Sequence, residues 1–163
     1  MLNTSLCYID NGTQYLMLHR VKKDHDVNHG KWIGIGGKMK EESPEECMIR
    51  EVREESGLEV VSWQYRGVLT FLAPPWDSEI IHLFTATETL GVLRECSEGD
   101  LQWVDKEKLH CLNLWQGDRI FLRFLLAGEP FFSLKLVYDG DALRQAVKNG
   151  VSLPLPEAFQ EPF

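Results

Sequence analysis

Two short apolar runs, TSLCYI (4 to 9) and QYLMLHR (14 to 20), flank Asp10-Asn11-Gly12. Asn-Gly between apolar runs predicts a hairpin, so a strand pair opens the chain. WQYRGVLTFL (63 to 72) and EIIHLFTATE (79 to 88) are rich in β-branched and aromatic residues, with Pro74-Pro75 between them, and predict two more strands. LQWV (101 to 104) is a short strand, DRIFLRFLLAG (118 to 128) a helix ended by Gly128, and FFSLKLVY (131 to 138) another strand. A last helix is expected from Asp141 to Lys148. The remaining 151 to 163 carries three prolines and no period, which reads as a segment extended against the surface or disordered. Ser43-Pro44-Glu45-Glu46 combines an N-cap serine, a proline at the first helical position and a glutamate three residues on, and Gly57 supplies the stop. A helix is therefore expected between them.

Composition narrows the class. At 163 residues and 44% hydrophobic, the chain suits one domain with a real core. Cys7, Cys47, Cys96 and Cys111 are scattered without a CxxC pair, and the opening MLNTSLCYID lacks a basic region followed by a long apolar run. The expectation is a reduced, cytoplasmic protein. No apolar run approaches the roughly 20 residues needed to cross a bilayer, so no membrane partner is expected.

Charge changes the picture more. Residues 41 to 59 hold eight glutamates against two arginines, a net of −6 out of −8 for the whole chain. So local an acidity disfavours a nucleic acid polymer, whose backbone needs clustered Lys and Arg, and suits divalent cations. A glutamate-rich run also fits an ordinary solvated helix face. On an ideal wheel with Cys47 at zero, however, Met48 falls near 100° and Val52 near 140°, while Glu51 falls near 40° and Glu55 near 80°. Two carboxylates thus lie inside the apolar arc, with Glu54 just outside it beside Cys47. Partly buried, unpaired carboxylates cost several kcal/mol or take up a proton, so clustering three of them requires cations, and hard oxygen ligands in a cluster are the chemistry of Mg²⁺ or Mn²⁺. Arg50 supplies only one charge.

Gly36, five residues, Glu42, seven residues, and then Arg50-Glu51-Val52-Arg53-Glu54-Glu55-Ser56-Gly57-Leu58 resembles the Nudix box, G-x5-E-x7-R-E-U-x-E-E-x-G-U, at every fixed position. The count runs from Gly36 rather than from the second glycine of GGK, so the loop before the helix is one residue shorter than in many members. GKWIGIGGK, the CSEGD before LQWV, and LWQGDRIFLRFLLAGEPFFSLKLVYDGD extend the likeness to the MutT/MutX-type 8-oxo-dGTP diphosphatases.

The resemblance implies an α/β fold of the α+β, mixed-sheet kind, the Nudix α/β/α sandwich. It implies a single Nudix domain over 1 to 150, followed by a Pro-containing tail over 151 to 163. It also implies a ligand set of Glu51, Glu54, Glu55, the Gly36 carbonyl and, from a separate loop, Glu98, with Glu42 and Arg50 in support. Glu51 and Glu54 are the candidates for the catalytic base. Arg20, at the end of a strand, is the candidate phosphate contact and equally reads as an ordinary surface arginine. For the base, Trp115 would offer a stacking face and Asp118 a hydrogen-bonding carboxyl group; alternatively Trp115 is core and Asp118 an N-cap. Where the mammalian relative has an asparagine after the GKW-type tryptophan this chain has Ile33, so that contact is not available here.

The expected reaction is metal-dependent hydrolysis of 8-oxo-dGTP, or a related modified purine nucleoside triphosphate, to monophosphate and pyrophosphate, which sanitises the nucleotide pool. Alternatives are a Nudix pyrophosphatase for another derivative such as ADP-ribose, and a non-catalytic nucleotide sensor. The expected partner is a small-molecule nucleotide. The sequence carries no signal of oligomeric state.

Overall fold

A computed structural model describes residues 1–160 of the chain. In chain order the elements are β1 (Leu2–Asp10), β2 (Gln14–His19), β3 (Trp32–Ile33), β4 (Ile35–Lys38), α1 (Pro44–Ser56), β5 (Glu59–Leu72), β6 (Glu79–Leu90) and β7 (Asp100–Asp105). They continue with α2 (Gln116–Leu126), β8 (Phe132–Asp139), β9 (Ala142–Lys148) and β10 (Val151–Ser152). Short 3₁₀ turns occupy Lys106–Cys111 and Glu157–Phe159.

The strands form one mixed sheet in the order β10-β9-β8-β5-β6-β1-β2-β3, with β4 added on β1 and β7 on β2. The β1–β6 and β5–β8 pairs are parallel and the others antiparallel. Side chains alternate across a strand, so each one feeds two cores. Cys7, Ile9, Leu16, Phe84 and Ala86 meet Met48 and Val52 of α1 on one face. Tyr8, Tyr15, Met17, Leu69 and Leu83 meet Ile120, Phe121, Leu122 and Leu125 of α2 on the other. A mixed sheet between two helices is the layering that the family resemblance implies.

The opening hairpin forms, but the two strands pair only next to the turn, Ile9 with Leu16 and Asp10 with Tyr15. Asp10 Oδ1 accepts from the Gly12 amide at 2.7 Å and Asn11 Oδ1 from the Gln14 amide at 2.8 Å, with Gly12 at φ 108°. Further back along the chain β1 exchanges β2 for β4, with Thr4 opposite Lys38 and Cys7 opposite Ile35. This separation brings the start of the glycine-rich segment onto the central strand.

Helix α1 begins and ends where its punctuation predicts. The Ser43 hydroxyl accepts from the Glu46 amide at 3.1 Å while Glu46 Oε1 accepts from the Ser43 amide at 3.0 Å, and Gly57 adopts φ 79° with its amide donating to Arg53. Elsewhere elements differ from expectation: β5 starts at Glu59, four residues before the predicted strand at 63. The predicted helix at 141 to 148 is instead β9, folded back on β8 through Gly140 at φ 60°. Its buried Leu143 and Ala146 are three apart, a spacing that fits a helix face as well as a strand crossing a bulge. The open edge of β8 decides the outcome, pairing Tyr138 with Leu143 and Leu136 with Ala146. Helix α2 starts at Gln116, two residues before the predicted Asp118.

The tail adds β10 to β9 and lays Leu153, Leu155, Ala158 and Phe159 against the α2-side core, the extended alternative of the two expected. Its residues 161 to 163 lie outside the described residues.

Candidate active site

The glutamates of α1 divide between two cationic surroundings. Arg50, which projects toward the preceding loop, binds Glu42 through Nη2–Oε1 at 2.5 Å and Nε–Oε2 at 3.0 Å. Its Nη1 reaches Glu51 at 2.8 Å and Glu54 at 3.2 Å, and its Nη2 donates to the Lys38 carbonyl at 3.2 Å. One guanidinium thus joins the loop to three carboxylates, and its hydrogen bonds hold the Glu42 carboxyl down at about 2.

Glu55 lies toward the opposite side. Its Oε2 is buried with no hydrogen-bond partner among the described residues. Burial, and then the negative charges of Glu51 and Glu98, push its carboxyl up to about 8, against the opposing influence of Arg20 and the Gly36 amide. Glu98 comes from the segment before β7 and is held by Arg20 Nη2 at 3.1 Å and Lys23 Nζ at 2.8 Å. The fold therefore gathers Glu51, Glu55, Glu98 and the Gly36 backbone, residues spread from 36 to 98. Glu54 sits at the outer margin with its side chain 54% exposed, bound to Arg50. Among the described residues no three acidic, histidine or cysteine side chains already form a metal cage.

The two glycines of β4 let it enter this crowded place. A Cβ on Gly36 would stand 1.8 Å from the Ser5 carbonyl oxygen, and one on Gly37 would stand 2.5 Å from the Glu51 carboxyl carbon. Gly36 therefore permits close contact with β1, and Gly37 admits Glu51. For Gly36→Ala the backbone of β1 cannot yield, so a loss of about 1–3 kcal/mol, the usual cost of overpacking, is expected in urea denaturation.

Beside the glutamates a cavity of ≈190 Å³ opens on the α2 side of the sheet. Thr4, Leu6, Leu69, Phe71, Glu79 and Ile81 line it from the strands, Trp115, Asp118 and Phe121 from α2 and its approach, and Arg20, Gly36, Gly37 and Lys38 from the side of the glutamates. Trp115 is buried as well as cavity-lining. Its Nε1 donates to Asn28 Oδ1 at 2.8 Å, and its ring meets Phe71 and Tyr138 edge-on. Asp118 is only 7% exposed, and burial pushes its carboxyl up to about 8, with Lys31 and Arg119 opposing.

The N-cap alternative for Asp118 does not hold. Trp115 is the cap residue and makes no side-chain cap bond, which leaves Asp118 in the first turn of α2, where its amide donates to the Trp115 carbonyl at 3.0 Å. Nor is Arg20 an ordinary surface arginine: its Nε is bound to Asp26 at 2.7 Å and its side chain is 13% exposed. Ile33 contributes an apolar wall. Sequence reasoning missed Asn28, Lys38 and Glu79. Asn28 lies in a polar loop and Glu79 opens a strand, so neither carries a local signal; Lys38 ends GGK and was open to notice.

A model of the NUDIX domain matches residues 2–125. The chain is 31% identical over 129 residues to the uncharacterized Nudix hydrolase YvcI of Bacillus subtilis, covering 76% of this chain and 78% of that one. It is 32% identical over 124 residues to the oxidized purine nucleoside triphosphate hydrolase of Mus musculus, covering 74% and 79%. The crystal structure of a MutT protein from Bacillus halodurans superposes with a TM-score of 0.82 at 24% identity, covering 91% of this chain and 98% of that one.

Proposed function

The chain belongs to the NUDIX family of hydrolases, and from that premise we propose that it hydrolyses 8-oxo-dGTP, or related modified purine nucleoside triphosphates, to the monophosphate and pyrophosphate with the help of Mg²⁺ or Mn²⁺. Nudix hydrolases act on small nucleotide substrates and are in general dependent on a divalent metal. The observation that carries the reading is a juxtaposition: Trp115 and Asp118 line the same cavity as Arg20, Gly36 and Gly37, which border the glutamates. At ≈190 Å³ the cavity is smaller than the roughly 300–1,000 Å³ of clefts that enclose a whole ligand, so it suits the base alone while the phosphates lie over the glutamates. The murine relative's name points to the same substrate class.

A divalent cation fits the residues present. Glu55 has a buried oxygen without a partner, in the field of two further carboxylates, and a buried carboxylate needs compensating charge. Glu51, Glu54, Glu55, Glu98 and the Gly36 carbonyl would hold the metal, which supplies charge neutralisation at the phosphoryl oxygens and lowers the pKa of a bound water.

The chain's own contribution is positioning. Phe71, Ile33 and Trp115 exclude water from around the base, and Asp118, protonated at neutral pH, offers the purine an O–H donor as well as an acceptor. Arg20 is the proposed phosphate contact, anchored by Asp26 and Glu98. Water attacks a phosphorus, by family likeness the β one. Glu51 and Glu54 remain the candidates for accepting its proton, with Arg50 fixing both carboxylates and Glu42 fixing Arg50.

A panel of nucleotides scored separately for pyrophosphate and phosphate release tests the reading. Pyrophosphate should appear from the oxidised purine triphosphate with Mg²⁺ or Mn²⁺ and cease in excess chelator. Turnover that survives chelation, or a preference for ADP-ribose, would overturn it.

A further inference from the structure

One carboxyl group in the cavity is left without a role. Glu79 opens β6, and the alternation of that strand puts it on the same face as Ile81 and Leu83, both of which pack into the α2-side core. Across the sheet Phe71 of β5 and Leu2 of β1 stand opposite it, and Thr4, two residues along β1, reaches it with its hydroxyl. An apolar side chain would complete this surface. Instead a carboxyl group lines the cavity, and its only side-chain hydrogen bond among the described residues is a long one, 3.3 Å, from the Thr4 hydroxyl. Burial raises its pKa, with the Thr4 bond and the charge of Lys38 opposing and Asp77 adding to the rise. A carboxyl group offers up to about four acceptor sites, so most of its hydrogen-bonding capacity is unspent.

We propose that Glu79 is a specificity-determining residue that reads the donor edge of the base, so that the cavity selects a purine bearing both a ring N–H and a neighbouring amino group, as guanine and its oxidised forms do. The inference rests on the nucleotide reading above and deepens it. Two parallel N–H donors match a carboxylate as a bidentate pair, which neither Trp115 nor the apolar walls can supply. Asp118 enters from α2 and Glu79 from the sheet, so the base is addressed by carboxyl groups from two different layers of the fold. A purine that lacks the amino group leaves one Glu79 acceptor without a donor inside the cavity, and that penalty provides the discrimination.

The test is equilibrium binding of guanosine and inosine 5′-monophosphates, which differ only in the amino group, measured calorimetrically with the wild type, Glu79→Gln and Glu79→Leu. The wild type is expected to prefer the guanosine nucleotide by about 5- to 150-fold, the range for one buried hydrogen bond whose acceptor is left unpaired. Glu79→Leu should erase most of that ratio, and Glu79→Gln, which keeps one acceptor, should fall between. The melting temperature of Glu79→Leu should equal or exceed that of the wild type, because the substitution removes a polar group from an apolar face, so lost selectivity is not unfolding. A guanosine-to-inosine ratio that is unchanged in Glu79→Leu, or absent in the wild type, overturns the proposal. Binding needs no turnover, so failure of the diphosphatase reading is recorded separately, as triphosphates that release no pyrophosphate while base selection persists.

Discussion

Glu55→Gln is expected to lower the turnover of the preferred nucleoside triphosphate by at least about 100-fold, equivalent to about 2.7 kcal/mol in the barrier, while the protein stays folded. The volume is conserved and only the capacity to carry a negative charge is lost. Glu55 is the carboxylate with a buried oxygen that has no partner, and it lies in the field of Glu51 and Glu98. In the described fold only Arg20 and the Gly36 amide favour its charge, and burial outweighs them, so a structural role predicts that the amide is tolerated. A metal-holding role predicts the opposite for activity, together with a higher Mg²⁺ or Mn²⁺ concentration for half-maximal rate. The two are separated by measuring melting temperature in chelator alongside kcat across a metal titration. Retention of most of the rate at low metal would reduce Glu55 to a tolerated buried acid.

Asp118→Asn is expected to reduce kcat/KM for an oxidised purine triphosphate by about 5- to 150-fold, or roughly 1–3 kcal/mol for one mismatched buried hydrogen bond. The ratio of purine to pyrimidine turnover should fall with it. An amide carries its donor and acceptor on fixed ends, whereas a protonated carboxyl group presents both within one O–C=O unit. Because Asp118 caps nothing, equal losses on purine and pyrimidine substrates can no longer be assigned to a frayed helix and would remove its role in base recognition.

The same substitution has a signature in stability. The Asp118 carboxyl is at about 8 in the folded protein against 3.8 for the free group, so the native state binds the proton more tightly than the unfolded chain does. Its contribution is fully present below pH 4 and is lost as pH rises through 8. Within that window each such group makes stability fall by about 1.4 kcal/mol per pH unit. Denaturation curves at pH 5, 6 and 7 should therefore show a shallower decline for Asp118→Asn than for the wild type. Glu55 titrates over an overlapping range and contributes to both curves. Parallel declines would mean that the Asp118 carboxyl is already ionised in the fold.

The parts of this protein that its sequence determined are those whose physics is local. Ser43, Pro44, Glu46 and Gly57 set both ends of α1 through bonds to groups within four residues, so its span was legible before any fold was known. The wheel positions of Glu51 and Glu55 follow from that span, as does their lean toward the core while Glu54 stays outside. The strands at 63 to 72 and 79 to 88 were likewise carried by their composition.

What the tertiary structure alone decided involves partners far apart in the chain. Residues 142 to 148 became a strand because β8 offered an unpaired edge, which no helical spacing within the segment could reveal. Asp118 proved to be a cavity acid because α2 begins earlier than its polar residues suggest and lies against the sheet. Thr4 and Glu79 are 75 positions apart, Trp115 and Asn28 are 87, and each pair meets only when the sheet is assembled. Burial is what turns these ordinary polar residues into a recognition surface, because a hydrogen-bonding group withdrawn from water is costly until a ligand satisfies it. That cost exists only once the strands and α2 have closed around it.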